Sequence, residues 1–107
     1  MSYRVVFTDT AKEDLRTIAF KIADISKDKE LAKRFVRELQ QSTKILETFP
    51  ESGAIPRDRV LKSAGYRFVS HKDYLTFYLV DKEREKVFVM AVFHGKLDYM
   101  RVMRRFI

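Results

Sequence analysis

The spacing of apolar residues changes once along the chain, from a helical period to a period of two, and this change limits the possible folds. Before residue 50, apolar residues recur every three or four positions, whereas from Tyr66 onward they alternate with polar ones. The first spacing gives a helix one buried face, and the second does the same for a strand. Helices followed by a run of strands predict an α+β fold, with helices packed on one face of a sheet.

Two amphipathic helices are predicted after a short first strand at residues 3–7. The first helix is expected to begin near Thr10, which has the spacing of a capping box with Glu13. The second is expected to begin after Asp28, a residue type that caps helices well, and to continue as far as Phe49. The two helices should form a helical hairpin.

Three strands are predicted in the second half, at residues 66–70, 74–80 and 87–93. Short connections favour an antiparallel meander, and the last strand is apolar almost throughout, which predicts a central position covered on both faces. A further short strand is expected at residues 57–61, and Asp98 is expected to cap a C-terminal helix. The predicted order in this single domain, residues 1–107, is β-α-α-β-β-β(-α), a helical hairpin on a mostly antiparallel sheet of three or four strands. Its other face should remain open as a concave binding surface.

Positive charge is concentrated in two short segments. The chain has 22 Lys and Arg against 15 Asp and Glu, a net charge of +7. Residues 57–72 carry five Lys and Arg against one Asp, and residues 95–107 carry four against one, so the rest of the chain is neutral. If the fold brings the two segments together, they form a positive surface suited to a polyanion.

The composition excludes several classes of site. There is no cysteine, which excludes disulfide scaffolds, thiolate zinc sites and thiol nucleophiles and suits the cytoplasm. No apolar run approaches the roughly 20 residues of a membrane span. The N-terminus has no long apolar core, so no signal peptide is expected.

Three stretches, in this order, resemble the RelE/ParE toxin superfamily: VVFT with AKEDL (5–8, 11–15), YRFV with YLTFY (66–69, 74–78), and VMAVFHGKLDY (89–99). The resemblance covers nearly the whole chain. It implies a toxin of a type II toxin–antitoxin system, neutralised by an antitoxin encoded nearby, with operator DNA bound only through the antitoxin. RelE-like members cut mRNA on the ribosome, whereas ParE-like members inhibit DNA gyrase by binding it.

Metal-free RNA cleavage needs a base for the 2′-hydroxyl, a cation for the phosphate and an acid for the leaving oxygen. Arg67 is the predicted phosphate clamp, because a guanidinium fork matches phosphate oxygens and a strand could aim it at the concave face. His94 is predicted to transfer protons, and the resemblance supports this role and adds Tyr99 as a catalytic aromatic. The predicted RNA or phosphate contacts are Arg57, Arg59, Lys62, His71, Lys96 and Arg101. No metal or cofactor is called for.

Each of these residues also has a structural interpretation. Arg67 could pair across the sheet, Tyr99 could lie in the core, and His71 could be an exposed turn residue. Arg101 could meet an acidic antitoxin. The sequence favours a RelE-like, ribosome-dependent mRNA endoribonuclease, with a ParE-like gyrase inhibitor as the alternative, since where RelE has an arginine in the middle strand this chain reads the uncharged YLTFY.

Overall fold

The structure is a computed structural model that describes residues 2–96, 101–102 and 104–105. Its elements are β1 (Arg4–Phe7), α1 (Asp9–Ser26), α2 (Lys29–Gln41), a 3-10 turn (Lys44–Glu47), α3 (Arg59–Ser63), β2 (Arg67–His71), β3 (Tyr74–Asp81) and β4 (Lys86–His94). The predicted α+β fold is confirmed, with the α1–α2 hairpin packed on a four-stranded sheet. No helix in the described part of the chain is long and apolar enough to cross a bilayer.

The strands lie in the order β1-β4-β3-β2. β1 runs parallel to β4, and the other neighbouring strands are antiparallel. The predicted central position of β4 is confirmed, because β1 and β3 flank it. Val87, Val89 and Ala91 are therefore completely buried.

Side chains at both helix starts accept backbone hydrogen bonds. Thr8, rather than Thr10, caps α1 by accepting from the Ala11 N–H at 3.2 Å, so the predicted capping box is wrong. The Thr8 hydroxyl also donates to the Val89 carbonyl oxygen at 2.8 Å, which ties the start of α1 to β4. The predicted cap of α2 is confirmed, since Asp28 accepts two backbone N–H groups at the start of that helix.

α2 ends eight residues earlier than predicted, because two hydroxyl groups compete for its last carbonyls. The hydroxyl of Ser42 donates to the Leu39 carbonyl at 2.6 Å, and that of Thr43 donates to the Gln40 carbonyl at 2.7 Å. Such local hydrogen bonds offer the backbone an alternative to the helix. The chain turns there and forms the 3-10 turn instead of continuing.

The two faces of the sheet have separate cores. Facing the hairpin, Tyr78 and three valines of β4 pack against helical residues such as Leu15 and Leu39. On the opposite face, Phe77 and Phe93 pack against Leu61 of α3 and against Val102. That face was expected to be open, and the expectation is wrong where α3 and Val102 cover it.

α3 occupies a segment for which a short strand was predicted. The carboxylate of Asp58 accepts from the backbone N–H groups of Val60 and Leu61 at 3.0 and 3.1 Å. This N-cap starts a helical turn, which directs Leu61 to the sheet. The predicted strand at residues 57–61 is therefore wrong.

A β-bulge in β4 changes which side chains face the hairpin. Phe77 is opposite Ala91, but the next residue, Tyr78, is opposite Val89, so Met90 is the extra residue on β4. Val89 belongs to the hairpin-side core, and after the bulge it is Val92 that does so. Without the bulge, the side chains beyond it would face the opposite way.

Candidate functional site

A row of three rings crosses one end of the sheet on its hairpin side. His71 on β2 is opposite Tyr74 on β3, which in turn is opposite His94 on β4. The Tyr74 and His94 ring centroids are 5.3 Å apart in an edge-to-face arrangement. Phe35 of α2 covers the row, with its ring centroid 5.2 Å from that of Tyr74 and 5.7 Å from that of His71. His71, Tyr74 and His94 are called the histidine row below.

A carboxylate of α2 binds the outer end of this row. Glu38 Oε1 lies 2.9 Å from His71 Nε2 and 3.9 Å from Lys72 Nζ. The hydrogen bond with His71 lowers the pKa of Glu38, the charge of Lys72 adds to this, and partial desolvation opposes it. The carboxylate thus remains ionised and orients the imidazole, as acids that support a histidine base do.

The turn after β4 fixes the inner end of the row. His94 Nδ1 accepts from the Lys96 backbone N–H at 3.3 Å, which puts the proton of a neutral ring on Nε2. The Gly95 N–H donates to the Asp73 carbonyl at 2.8 Å. A Cβ on Gly95 would lie only 3.2 Å from Leu75 Cγ, so a glycine suits this close approach.

Arg67 faces the hairpin side of the sheet but lies at the other end of β2. Its Nη1 donates to the Gly53 carbonyl at 3.1 Å, and its Nη2 is 3.8 Å from Glu51 Oε2. It is opposite Tyr78, whose buried hydroxyl accepts from the Gly53 N–H at 3.0 Å. Burial raises the pKa of Tyr78. The expectation that Arg67 points to an open concave face is wrong, because it binds the loop that lies along the edge of β2.

The structure does not bring Arg67 and His94 together. Arg67 is four residues from His71, which is about 13 Å along β2. His94 lies two strands across the sheet from His71, which adds about 10 Å at a right angle, so about 16 Å separates the Arg67 and His94 Cα atoms. A single phosphodiester has its reacting atoms within about 3 Å of each catalytic group. The guanidinium is also turned toward Gly53.

The remaining predicted residues are spread over the molecule. Arg57 lines a hollow on the opposite face with Phe68 and Leu75, whereas Lys62 lines a different hollow with Arg67. Arg57 and Arg67 therefore line two different hollows, which have Ile55 in common. Arg59, Lys96 and Arg101 are exposed, and Tyr99 lies outside the described residues.

Sequence reasoning missed most of the residues that surround the histidine row. Tyr74, which was not among the predicted site residues, is the centre of the row. Phe35 and Glu38 are one turn apart on α2, a spacing that puts both on one helix face, and this was the available signal. Arg34 and Arg37 line a hollow beside His71. In the described part of the chain, no three His, Asp or Glu side chains are placed to hold a metal ion.

Comparison with known proteins gives one family and several similar folds. The family model for the "ParE toxin of type II toxin-antitoxin system, parDE" matches residues 5–99. The toxin–antitoxin complex RelBE2 from Mycobacterium tuberculosis is similar with a TM-score of 0.61 and 23% identity, over 88% of this chain and 99% of that one. The chromosomal ParDE system from P. aeruginosa is similar with a TM-score of 0.71 and 17% identity, over 87% of this chain and 96% of that one. A mutant of the E. coli toxin RelE in the free state is similar with a TM-score of 0.57 and 16% identity, over the whole of both chains. A search of curated proteins gives no match.

Proposed function

The chain belongs to the ParE toxin family of type II toxin–antitoxin systems, and we propose that it acts by binding a protein target, DNA gyrase, rather than by cutting RNA. The observation that carries this proposal is the separation of the groups that RNA cleavage would use. Arg67, the predicted phosphate clamp, is held by the Gly53 carbonyl and Glu51, far along the sheet from His94.

The composition of the histidine row also supports a binding function. Its centre is the uncharged Tyr74, which lies between the two imidazoles. The Lys72 ammonium lies 3.9 Å from Glu38 Oε1, so the carboxylate offsets its charge. Stabilising a crowded phosphate requires a cation aimed at it, whereas an aromatic side chain in this place suits contact with a protein surface. Gyrase as the target would place the protein in the cytoplasm.

A purified gyrase assay tests the proposal. We expect the toxin to inhibit supercoiling of relaxed plasmid, or to trap linear DNA, without cutting added RNA. In cells that express the toxin alone, we expect DNA damage and filamentation with intact transcripts. Full gyrase activity in the presence of excess toxin would reject this target.

RNA cleavage is the second candidate, and one observation favours it. His71 and His94 flank Tyr74 on the same face of the sheet, and Arg34 and Arg37 line the hollow beside His71. Two imidazoles could supply a base and an acid, with mRNA on the ribosome as the substrate. Mapping mRNA 5′ ends after induction distinguishes the candidates, since new ends that disappear with His94→Ala would favour the nuclease.

We also propose that a neighbouring gene encodes an antitoxin that binds this chain, and that the complex contacts operator DNA through the antitoxin. The similar structures RelBE2 and ParDE are toxin–antitoxin systems. Exposed apolar side chains support a protein partner, because Ile45 and Phe49 are 50% and 59% exposed and lie one turn apart. Co-expression with the neighbouring gene should restore growth and yield a complex on purification.

A further inference from the structure

The outer face of α1 carries one exposed aromatic side chain between two pairs of opposite charges. Phe20 is 79% exposed. Glu13 and Arg16 precede it, and their charged groups are 3.3 Å apart. Asp24 and Lys27 follow it, with 3.6 Å between Lys27 Nζ and Asp24 Oδ1. All four charged side chains are at least 64% exposed, so the order along the surface is negative, positive, aromatic, negative, positive.

The centre of this face is a row of three residues, Arg16, Phe20 and Asp24, which are four positions apart and therefore neighbours on the helix surface. They line one hollow on the outside of α1. The buried residues of α1 lie on the opposite side of the helix, because each residue turns the helix by about 100°. The row is therefore accessible to another molecule.

The charges of this row are complementary to themselves when a second copy of the chain lies antiparallel. Arg16 and Asp24 are each four residues from Phe20, about 6 Å along the axis in opposite directions. Reversal of one copy therefore puts Arg16 next to Asp24 of the other copy at both ends, with the two Phe20 rings at the centre. Helices pack most often with such rows of every fourth residue aligned, at a crossing angle of about −50°. A parallel copy would instead place Arg16 next to Arg16.

We propose that a second copy of this chain docks on the outer face of α1, through Phe20 and two symmetry-related pairs of Arg16 with Asp24. Such a contact, in which both copies use the same surface, is the commonest kind in protein dimers. Because Glu13 already pairs with Arg16 and Lys27 with Asp24, each end of the contact becomes a cluster of four alternating charges. A uniformly acidic or basic partner would meet like charges at both ends, whereas a second copy meets opposite ones.

The contact is small, so the dimer should be weak. α1 is 18 residues long, about 27 Å, and one pair of such helices buries less than the roughly 1,200 Å² of a stable interface. We expect a Kd of about 10–100 µM. In sedimentation equilibrium, the average mass of the purified toxin should rise from the 12.7 kDa of one chain towards twice that value across this concentration range. A mass that stays at that of one chain well above this range would overturn the proposal.

Two single charge reversals test the antiparallel pairing. Arg16→Glu brings two carboxylates together at each end of the contact, and Asp24→Lys brings two cations together, so each variant alone should self-associate at least about tenfold more weakly. In an equimolar mixture of the two variants, the reversed charges meet each other and the unchanged Arg16 and Asp24 meet as before. The mixture should therefore dimerise about as tightly as the wild type. A mixture that associates no better than its components would overturn the pairing.

Arg84→Glu and Glu30→Lys are the matched controls. Both residues are exposed, at 72% and 81%, and each pairs with a residue three positions away, as Arg16 and Asp24 do. Alone or mixed, they should stay within about threefold of the wild-type Kd at physiological salt, where screening acts over about 8 Å. Equal weakening by the controls and by the α1 variants would show an effect of net charge alone and would also overturn the contact.

Phe20→Ser removes the ring at the centre of the contact. Because this side chain is exposed, thermal unfolding should be nearly unchanged, while self-association should weaken at least about tenfold. Wild-type self-association of this variant would argue against the proposed face. None of the α1 residues belongs to the histidine row, so failure of the dimer would leave the proposed binding of gyrase as it stands.

Discussion

Arg67→Ala should destabilise the protein without abolishing its toxicity, and this expectation follows from the contacts of the guanidinium. The Arg67 side chain is 26% exposed, and its Nη1 donates to the Gly53 carbonyl. Truncation removes that donor and leaves the half-buried carbonyl without it. The Glu51 carboxylate would keep its second partner, Lys82, at 3.1 Å.

The size of the effect can be worked out from these contacts. A hydrogen bond from a charged donor contributes about 1.5–3 kcal/mol, and the partly exposed pair with Glu51 adds at most a few tenths. A loss of about 2 kcal/mol in the free energy of unfolding should lower Tm by about 8–16 °C for a domain of this size.

Far-UV circular dichroism is the appropriate assay, because the chain has no tryptophan. Thermal and urea unfolding should be compared for the wild type, Arg67→Ala and Arg67→Lys. The lysine variant keeps the charge but loses the planar fork, so it should fall between the other two. Arg57→Ala is the matched control, since Arg57 is exposed and should change stability by less than about 0.5 kcal/mol.

Growth on expression without antitoxin gives the second measurement. At a temperature well below the Tm of the variant, Arg67→Ala should arrest growth as strongly as the wild type, per amount of folded protein. An unchanged Tm would refute the structural role of Arg67. Lost toxicity in a variant that is as stable as the wild type would instead show that the guanidinium contacts the target.

Three further predictions concern stability, each measured by urea unfolding. Gly53→Ala should lower the free energy of unfolding by about 3 kcal/mol, since overpacking costs about 1–3 kcal/mol. The added Cβ would lie 2.5 Å from the Tyr78 hydroxyl and 2.8 Å from the Phe68 carbonyl oxygen. An unchanged midpoint of urea unfolding would contradict this. Stability of the wild type should decline as pH falls below 4.5, because the pKa of Glu38 is lower in the folded state, where the ionised carboxylate binds His71. Glu38→Gln has no carboxylate to protonate there, so its stability should fall less over the same pH range. Equal pH profiles for the two proteins would argue against this contribution of Glu38. Asp14→Ala should lower the free energy of unfolding by about 2 kcal/mol. The Asp14 carboxylate accepts from the Val92 backbone N–H at 2.9 Å and pairs with Arg105 at 3.0 Å. A change below about 0.5 kcal/mol would show that water replaces both contacts.

The sequence alone was enough for the class of fold, the order of the elements and the family resemblance. Periodicity reports which residues are buried on each element, and this identified both helices and the three strands of the meander. Local chemistry was also readable where one side chain acts on its own backbone, as Asp28 does at the start of α2. The end of α2 was predicted wrongly, because the hydroxyl groups of Ser42 and Thr43 compete for its last carbonyls.

Only the tertiary structure decided which candidate residues share a site. A single extra residue in β4, Met90, reverses the alternation beyond it and brings His94 to the hairpin side, next to Tyr74. Arg67 faces the same side, but its partner is the Gly53 carbonyl, fourteen residues earlier in the sequence. Periodicity describes one strand at a time, whereas the bulge, the cross-strand register and the partner of a long side chain depend on groups that are distant in sequence.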